Sequence, residues 1–268
     1  MSQAAVHVPA AVNKAQGDQG HFEISSAVGM SSLERFVAEN IVSNDAHWAW
    51  QSYKCVVLKL QEAFQCKSLL EVGAGRSPLF DKSEYESLDA KYTANDISAP
   101  ELALAPGWLS KACFDISHPP SSSYSSYDLI FSKMVFEHVR DAKATYGAVY
   151  DLLKPNGICL AFFPTLYCVP FLANYLSPER VSQKLLRRFA PPRNPKFPAF
   201  YSWCRSTAFL ARSLRQIGFR EAVVAPFYGH AYYRKIPFVR HINRRWTTLA
   251  RSKDWRPTSS FAYALLRK

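Results

Sequence analysis

Residues 68–79 read Ser68-Leu69-Leu70-Glu71-Val72-Gly73-Ala74-Gly75-Arg76-Ser77-Pro78-Leu79. Leu69, Leu70 and Val72 form the short apolar run required of a strand buried on both faces. Gly73 and Gly75 let the chain turn sharply with no Cβ between its backbone and a ligand. Ser77 is a good N-cap and Pro78 is pre-set for a first helical position, so a helix is expected to begin there. Strand, glycine turn and helix together are how a doubly wound α/β sheet presents its switch point to a nucleotide-like ligand.

Which ligand follows from details. The dinucleotide fingerprint needs small residues at the first, third and sixth positions of its glycine motif, and here the sixth is Pro78. An acid, Glu71, instead stands two residues before the first glycine. The run from Glu71 to Ser77 resembles the first motif of class I S-adenosylmethionine-dependent methyltransferases, acid-x-Gly-x-Gly-x-Gly, with Ser77 in place of the last glycine. The resemblance implies that S-adenosyl-L-methionine is the cofactor and that Glu71, Gly73, Ala74 and Gly75 line its site. A strand-end carboxylate would attract the sulfonium and amino charges. The plainer alternative is an α/β turn that holds no cofactor.

Downstream residues fit the same scheme. Tyr92 to Asp96 reads as a second strand ending in an acid, 21 residues beyond Gly75, the distance at which an acid of this fold accepts hydrogen bonds from ribose hydroxyls. Ala112 to Ile116 reads as a short third strand, and its Asp115 matches the family position that contacts the adenine amino group. Ile97 and Ile116 follow those two aspartates and are expected to line the site with them. Either aspartate read alone is a turn or helix cap.

Tyr127 to Ser132 is a fourth strand, followed by Lys133-Met134-Val135-Phe136-Glu137-His138-Val139. Asp141 caps the next helix, Lys154-Pro155-Asn156-Gly157 stops it, and Ile158 to Phe163 is a fifth strand. This succession is similar to ubiquinone-biosynthesis-like and related small-molecule methyltransferases (the type 11-like group). There a strand ending in Ser leads to Glu-His-Val, and a Leu-Lys-Pro-x-Gly turn precedes strand five. The resemblance covers residues 68–164 and adds Ser132 and Met134 to the cofactor contacts. His138 is the base expected to take a proton from the acceptor, since imidazole titrates near neutrality; its rival role is to orient backbone beside Glu137. His230, His241, Tyr167 and Tyr201 are weaker base candidates. Some relatives bind a divalent metal with Glu-x-x-Glu-His here; Met134 stands where the first Glu would be, so no metal is expected.

The expected fold is therefore α/β, a Rossmann-like doubly wound sheet of seven strands, mostly parallel with the last antiparallel beside the fifth. Residues 1–20 lack a sustained period and read as a flexible tail ahead of a single methyltransferase domain over 21–268. Residues 21–65 hold N-terminal helices: one behind the capping box Ser31-Ser32-Leu33-Glu34, another over Trp48 to Phe64. Trp48, Trp50 and Tyr53 on the second read as pocket wall or, more commonly, core. Residues 66–164 are the cofactor-binding core and 165–205, with six prolines, a lid insertion with a basic helix around Ser182 to Arg188. Residues 206–268 return to the sheet with a helix from Thr207 to Ile217 and strands at Glu221 to Ala225 and Ser260 to Leu266. Between these strands lies a basic, aromatic excursion from His230 to Lys253.

Composition bounds the partners. Hydrophobic residues make up 48% and charged residues 20% of 268, as in globular proteins. Six cysteines without a Cys-x-x-Cys pair give neither a zinc site nor a disulfide framework. No signal peptide or membrane span is expected, the most apolar stretch being broken by Pro164 and Pro170, so the reading is a cytoplasmic protein. The net charge of +12 is uneven: residues 1–164 carry −5, whereas residues 165–268 carry +17 with only Glu179, Glu221 and Asp254 as acids. Such asymmetry points to an anionic partner or to a solvated basic surface. The leading reading is an O- or N-methyltransferase of a small-molecule, glycan or lipid-linked acceptor carrying an anionic handle, with peripheral membrane contact. An RNA methyltransferase is the rival; with no Asn-Pro-Pro-Tyr motif after strand four, no stable nucleic-acid partner is expected. A non-catalytic binding protein is the third, opposed by the joint presence of Glu71, Gly73, Gly75 and Asp96.

Overall fold

The computed structural model describes residues 29–168, 172, 198–204, 207–230 and 237–268. The tail over 1–20 and most of the lid over 165–205, including the basic helix around Ser182 to Arg188, lie outside the described residues.

Seven strands form one sheet: β1 Ser68–Val72, β2 Lys91–Asp96, β3 Ser110–Cys113, β4 Tyr127–Lys133, β5 Leu153–Pro164, β6 Glu221–Phe227 and β7 Phe261–Arg267. Their order is β3-β2-β1-β4-β5-β7-β6. The pairs from β3 through β5 are parallel, and β7 runs antiparallel to both β5 and β6. The order reverses between β1 and β4, and the crevice at the carboxyl ends of these two strands is where ligands of open α/β sheets bind.

The α-helices of the described residues are α1 Ser32–Asn40, α2 Ala46–Ala63, α3 Lys82–Ser87, α4 Ala99–Ala103, α5 Ala142–Leu152, α6 Thr207–Ile217 and α7 Pro237–Ser252. Helix α1 begins with the expected capping box, Ser31 with Glu34. Helix α2 starts at Ala46, two residues earlier than the periodicity suggests, because the Asp45 carboxylate accepts from the His47 and Trp48 amides.

The first helix after the glycine turn does not start at Pro78. It starts at Lys82, behind a capping box of Asp81 and Glu84. The reason lies in the core: the Leu79 amide donates to Glu71 Oε2 at 3.0 Å and Phe80 is 1% exposed, so Leu79 and Phe80 are held against the sheet before a helix can form. Strand β3 spans Ser110–Cys113, two residues earlier than its apolar pattern indicates. Here tertiary pairing with β2, Thr93 beside Ser110, sets the register in place of local propensity. The turn Lys154 to Gly157 is absorbed into β5: Leu153 pairs with Tyr127, the register shifts, and pairing resumes at Ile158 with Leu129. Asn156, at φ 65°, takes the left-handed conformation at that irregularity.

Buried aromatics fill the space between α2 and the sheet. Tyr53 stacks on Phe162 at 5.7 Å, and Phe162 meets Tyr263 edge-on at 5.0 Å. The spacing of α2 thus has two outcomes: Tyr53 is core, 1% exposed, whereas Trp50 is 38% exposed at the rim.

Candidate active site

The site is built where β1, β2 and β4 end. Gly73, at φ 74°, and Gly75, at φ 53°, are both left-handed, a conformation costly for other residues. The Gly73 and Ala74 amides both donate to Asn95 O, at 2.8 and 3.0 Å, which ties the turn to β2. Gly75 N–H donates to Asp96 Oδ2 at 2.9 Å, and the other Asp96 oxygen accepts from the Ser98 amide. Asp96 is therefore brought against the glycine turn, as its spacing predicts, and its carboxylate is already oriented by two backbone donors.

A Cβ built on Gly75 would come 3.7 Å from Asp96 Oδ2, ordinary contact distance. One on Gly73 would collide with Val135 Cγ2 at 2.3 Å. Val135 thus lies over the first glycine, a contact between two segments 62 residues apart that no local pattern reveals.

Glu71, at the end of β1, is held by contacts within the fold. It is 8% exposed, and its carboxylate accepts from the Leu79 amide and the Tyr92 hydroxyl. Burial pushes its pKa up to about 6, against the pull of those donors and of Lys133. Through Oε2 it holds Leu79, and with it the Phe80 segment, back onto the strand. Lys133 lies near, with Nζ 4.6 Å from the Trp50 ring centroid and 5.4 Å from that of Tyr53. Burial lowers its pKa, opposed by Glu71.

Ser132 stands beside Val72 in register and is 1% exposed, with no hydrogen-bond partner for its Oγ. A buried hydroxyl without a partner costs about 1–3 kcal/mol, a cost a bound ligand can remove. Met134, the next residue but one, has φ 61°, uncommon for a residue with a side chain and frequent where strain serves a site. Its amide donates to Phe162 O at 2.7 Å. Ile97 is 67% exposed directly after Asp96, and Ala74 is buried in the turn.

Asp115 and Ile116 follow β3, the outer strand on this side, and Ile116 is buried. Asn95, 1% exposed, donates to Ala112 O and Phe114 O at 2.9 and 3.0 Å and so aims the segment that carries Asp115. Asp115 Oδ1 accepts from the Ser117 amide. Arg76 makes a two-pronged contact with Glu101, both at 2.7 Å, clamping the glycine turn to α4. Asn95 and the Arg76–Glu101 pair were not recognisable as site residues in the sequence, since their partners come from other elements.

His138 sits in a 3₁₀ turn, Phe136–His138, one turn beyond Met134. Its Nδ1 is 3.0 Å from Pro198 O, and since a carbonyl only accepts, Nδ1 carries a proton there. In the neutral ring this puts the lone pair on Nε2, which lies 3.6 Å from Glu137 Oε1. Glu137 is 2% exposed, its Oε2 has no hydrogen-bond partner, and burial pushes its pKa up to about 8. Its backbone carbonyl accepts from the Phe200 and Tyr201 amides, tying the turn to residues 198–204.

Of the weaker base candidates, Tyr201 is buried and joined through its amide to the turn that carries His138, whereas His230 Nε2 is 3.0 Å from Asn243 Oδ1, His241 is exposed on α7, and Tyr167 is 43% exposed. All six cysteines are free thiols.

Residues 70–159 match a family model described as a methyltransferase domain. No curated protein matches the chain. Solved structures with this fold include an S-adenosylmethionine-dependent methyltransferase from Archaeoglobus fulgidus, 14% identical with a TM-score of 0.50 over 89% of this chain and 100% of that one. Another from Mesorhizobium loti is 16% identical, with a TM-score of 0.50 over 84% of this chain and 100% of that one. Phosphoethanolamine N-methyltransferase 2 of Haemonchus contortus, in complex with S-adenosyl-L-methionine, is 15% identical with a TM-score of 0.50 over 90% of this chain and 60% of that one. At these identities the likeness is one of fold. Residues 70–159 thus match a methyltransferase domain, and the glycine turn at the switch point of this strand order belongs to a fold shared with S-adenosylmethionine-dependent methyltransferases.

Proposed function

We propose that the protein methylates oxygen or nitrogen on a small-molecule, glycan or lipid-linked acceptor that carries an anionic group. The observation that carries the cofactor half of this reading is the crevice between β1 and β4, where the Gly75 turn, the pre-oriented Asp96 carboxylate and the unpartnered Ser132 hydroxyl meet. These groups fit S-adenosyl-L-methionine: Asp96 would hold the ribose hydroxyls, Gly73 to Gly75 would admit close approach, and Ser132 would gain the partner it lacks. When bound, that cofactor supplies a methyl group on a cationic sulfur.

The chain's own contribution is placement and proton handling. The Nδ1–H contact to Pro198 O fixes the His138 ring, which lets Nε2 accept a proton from an acceptor hydroxyl or ammonium. Trp50 and Lys133 at the rim of α2 and β4 provide a flat apolar face beside a cation, suited to an acceptor with both characters. The charge of +17 over residues 165–268 supports an anionic handle. So does the phosphorylated ligand, phosphomonomethylethanolamine, named with the Haemonchus contortus fold relative. The cysteines, all reduced, suit work in the cytosol.

Calorimetry is expected to show S-adenosyl-L-methionine and S-adenosylhomocysteine binding and no heat with NAD. Asp96→Ala should weaken cofactor binding by about 1–3 kcal/mol, the cost of leaving its hydrogen bonds unmade. Heat with NAD alone, or unchanged affinity in Asp96→Ala, would refute the assignment. For the acceptor, Arg187→Ser with Arg188→Ser should raise KM and reduce its salt sensitivity while cofactor affinity stays put. Acceptor kinetics that do not move would remove the anionic handle from this reading.

A further inference from the structure

Helix α7 is built the wrong way round for a helix that only packs on its own protein. Among its described side chains, those that face the body are small or polar. Asn243 reaches His230, the Thr247 methyl would lie 3.6 Å from a Cβ on Gly229, and Ala250 is 1% exposed. The large apolar residues point the other way: Phe238 is 75%, Ile242 54%, Trp246 42% and Leu249 43% exposed. Their spacing of four, four and three puts all four on one helical face. Trp255, 42% exposed beyond the helix end, extends that face, its ring 5.5 Å from that of Trp246.

Charge accompanies the stripe. The helix holds Arg240, Arg244, Arg245 and Arg251 and no acid, with Lys253 and Arg256 following. Arg240, Arg244 and Arg245 are exposed. Among the described residues, Asp254 is taken up by the Tyr228 hydroxyl and Arg256, and Asp45 lies 3.9 Å from Arg251, which leaves Arg240, Arg244 and Arg245 with no acid on their own helix. A strongly amphipathic helix of low net hydrophobicity, with aromatic and aliphatic residues on one face and arginines on the rest, has the make-up of a segment lying in a lipid interface. A soluble monomer rarely leaves such a face to water.

We propose that α7 docks this protein on an anionic phospholipid surface, with Phe238, Ile242, Trp246 and Leu249 entering the headgroup boundary and the arginines meeting lipid phosphates. A second copy of the chain fits this face less well. Two-fold pairing of α7 with itself would set arginine rows against each other with no acid on the helix to answer them. No helix among the described residues is long and apolar enough to cross a membrane, so the contact is peripheral. This inference is independent of the acceptor's identity.

The test is co-sedimentation of the full chain with phosphatidylcholine vesicles with or without 30% phosphatidylglycerol, run beside light scattering for oligomeric state. Binding to the anionic vesicles alone, falling as salt rises, is the expected result. Arg244→Ser with Arg245→Ser should cut the partition roughly thirty-fold, at about one cation's worth of surface attraction each. Ile242→Ser with Trp246→Ser should cut it by roughly ten-fold or more. Both variants alter exposed positions and should bind S-adenosyl-L-methionine as the parent does, which shows that they fold. No sedimentation at low salt, equal binding by parent and variants, or loss of a dimer without any effect on vesicles would each overturn the proposal.

Discussion

Gly75→Val is expected to lose S-adenosyl-L-methionine binding by about 100-fold or more, some 2.7 kcal/mol, while remaining folded. Gly75 is left-handed, so a β-branched residue there costs roughly 1–2 kcal/mol of backbone strain. The space for its Cβ exists, however, with Asp96 Oδ2 at 3.7 Å and Glu101 at 4.0 Å. The new side chain therefore stands beside the carboxylate assigned to the ribose without breaking the sheet. Gly73→Val should behave differently. Its Cβ would meet Val135 Cγ2 at 2.3 Å in a backbone at φ 74°. The Val135 side chain or the backbone that carries it must shift, and overpacking of this kind adds roughly 1–3 kcal/mol to the strain. The two glycines, equivalent in the sequence, separate into a binding probe and a stability probe. Calorimetry with thermal melts on both variants checks this, and a Gly75→Val protein that binds as the parent does would remove the cofactor from the turn.

Glu137→Gln is expected to stabilise the protein at pH 8 and to leave it nearly unchanged at pH 4. The folded-state pKa of about 8 lies above the ordinary 4.5 because burial disfavours the anion. Between these two values the folded protein holds a proton that the unfolded chain has released. Stability therefore falls as pH rises through that window and is fully present only below it. At 1.36 kcal/mol per pKa unit the accumulated loss is a few kcal/mol, and relieving it should raise the melting temperature by about 5–10 °C at pH 8. Glutamine, neutral at every pH, removes the dependence. Parallel melting curves for parent and variant from pH 5 to pH 8 would show that Glu137 titrates as an ordinary carboxyl. Retaining such a destabilised group directly beside His138 is consistent with a site that uses the turn, since strained or unsatisfied groups concentrate where function requires them.

The local grammar of the chain determined most of its architecture. The apolar runs at Leu69–Val72, Leu129–Phe131 and Ile158–Phe163 are long enough to be buried strands and are bounded by turn residues, so the alternation of strand and helix, and with it the doubly wound sheet, is set within short windows. The glycines and Asp96 were legible for the same reason: backbone conformation and fold-specific spacing are properties of a linear string. What only the tertiary structure decided are relations between segments far apart. That Glu71 Oε2 accepts from the Leu79 amide and the Tyr92 hydroxyl follows from the Phe80 segment folding back on β1, which no local pattern shows. Trp50 and Tyr53 share a helix and a composition, but one meets water and the other Phe162, depending on where β5 passes beneath α2. The orphaned Ser132 hydroxyl, the cover of Val135 over Gly73 and the outward apolar stripe of α7 are likewise invisible locally. Burial and pairing depend on which surfaces the fold brings together, and that is settled by packing over the whole sheet.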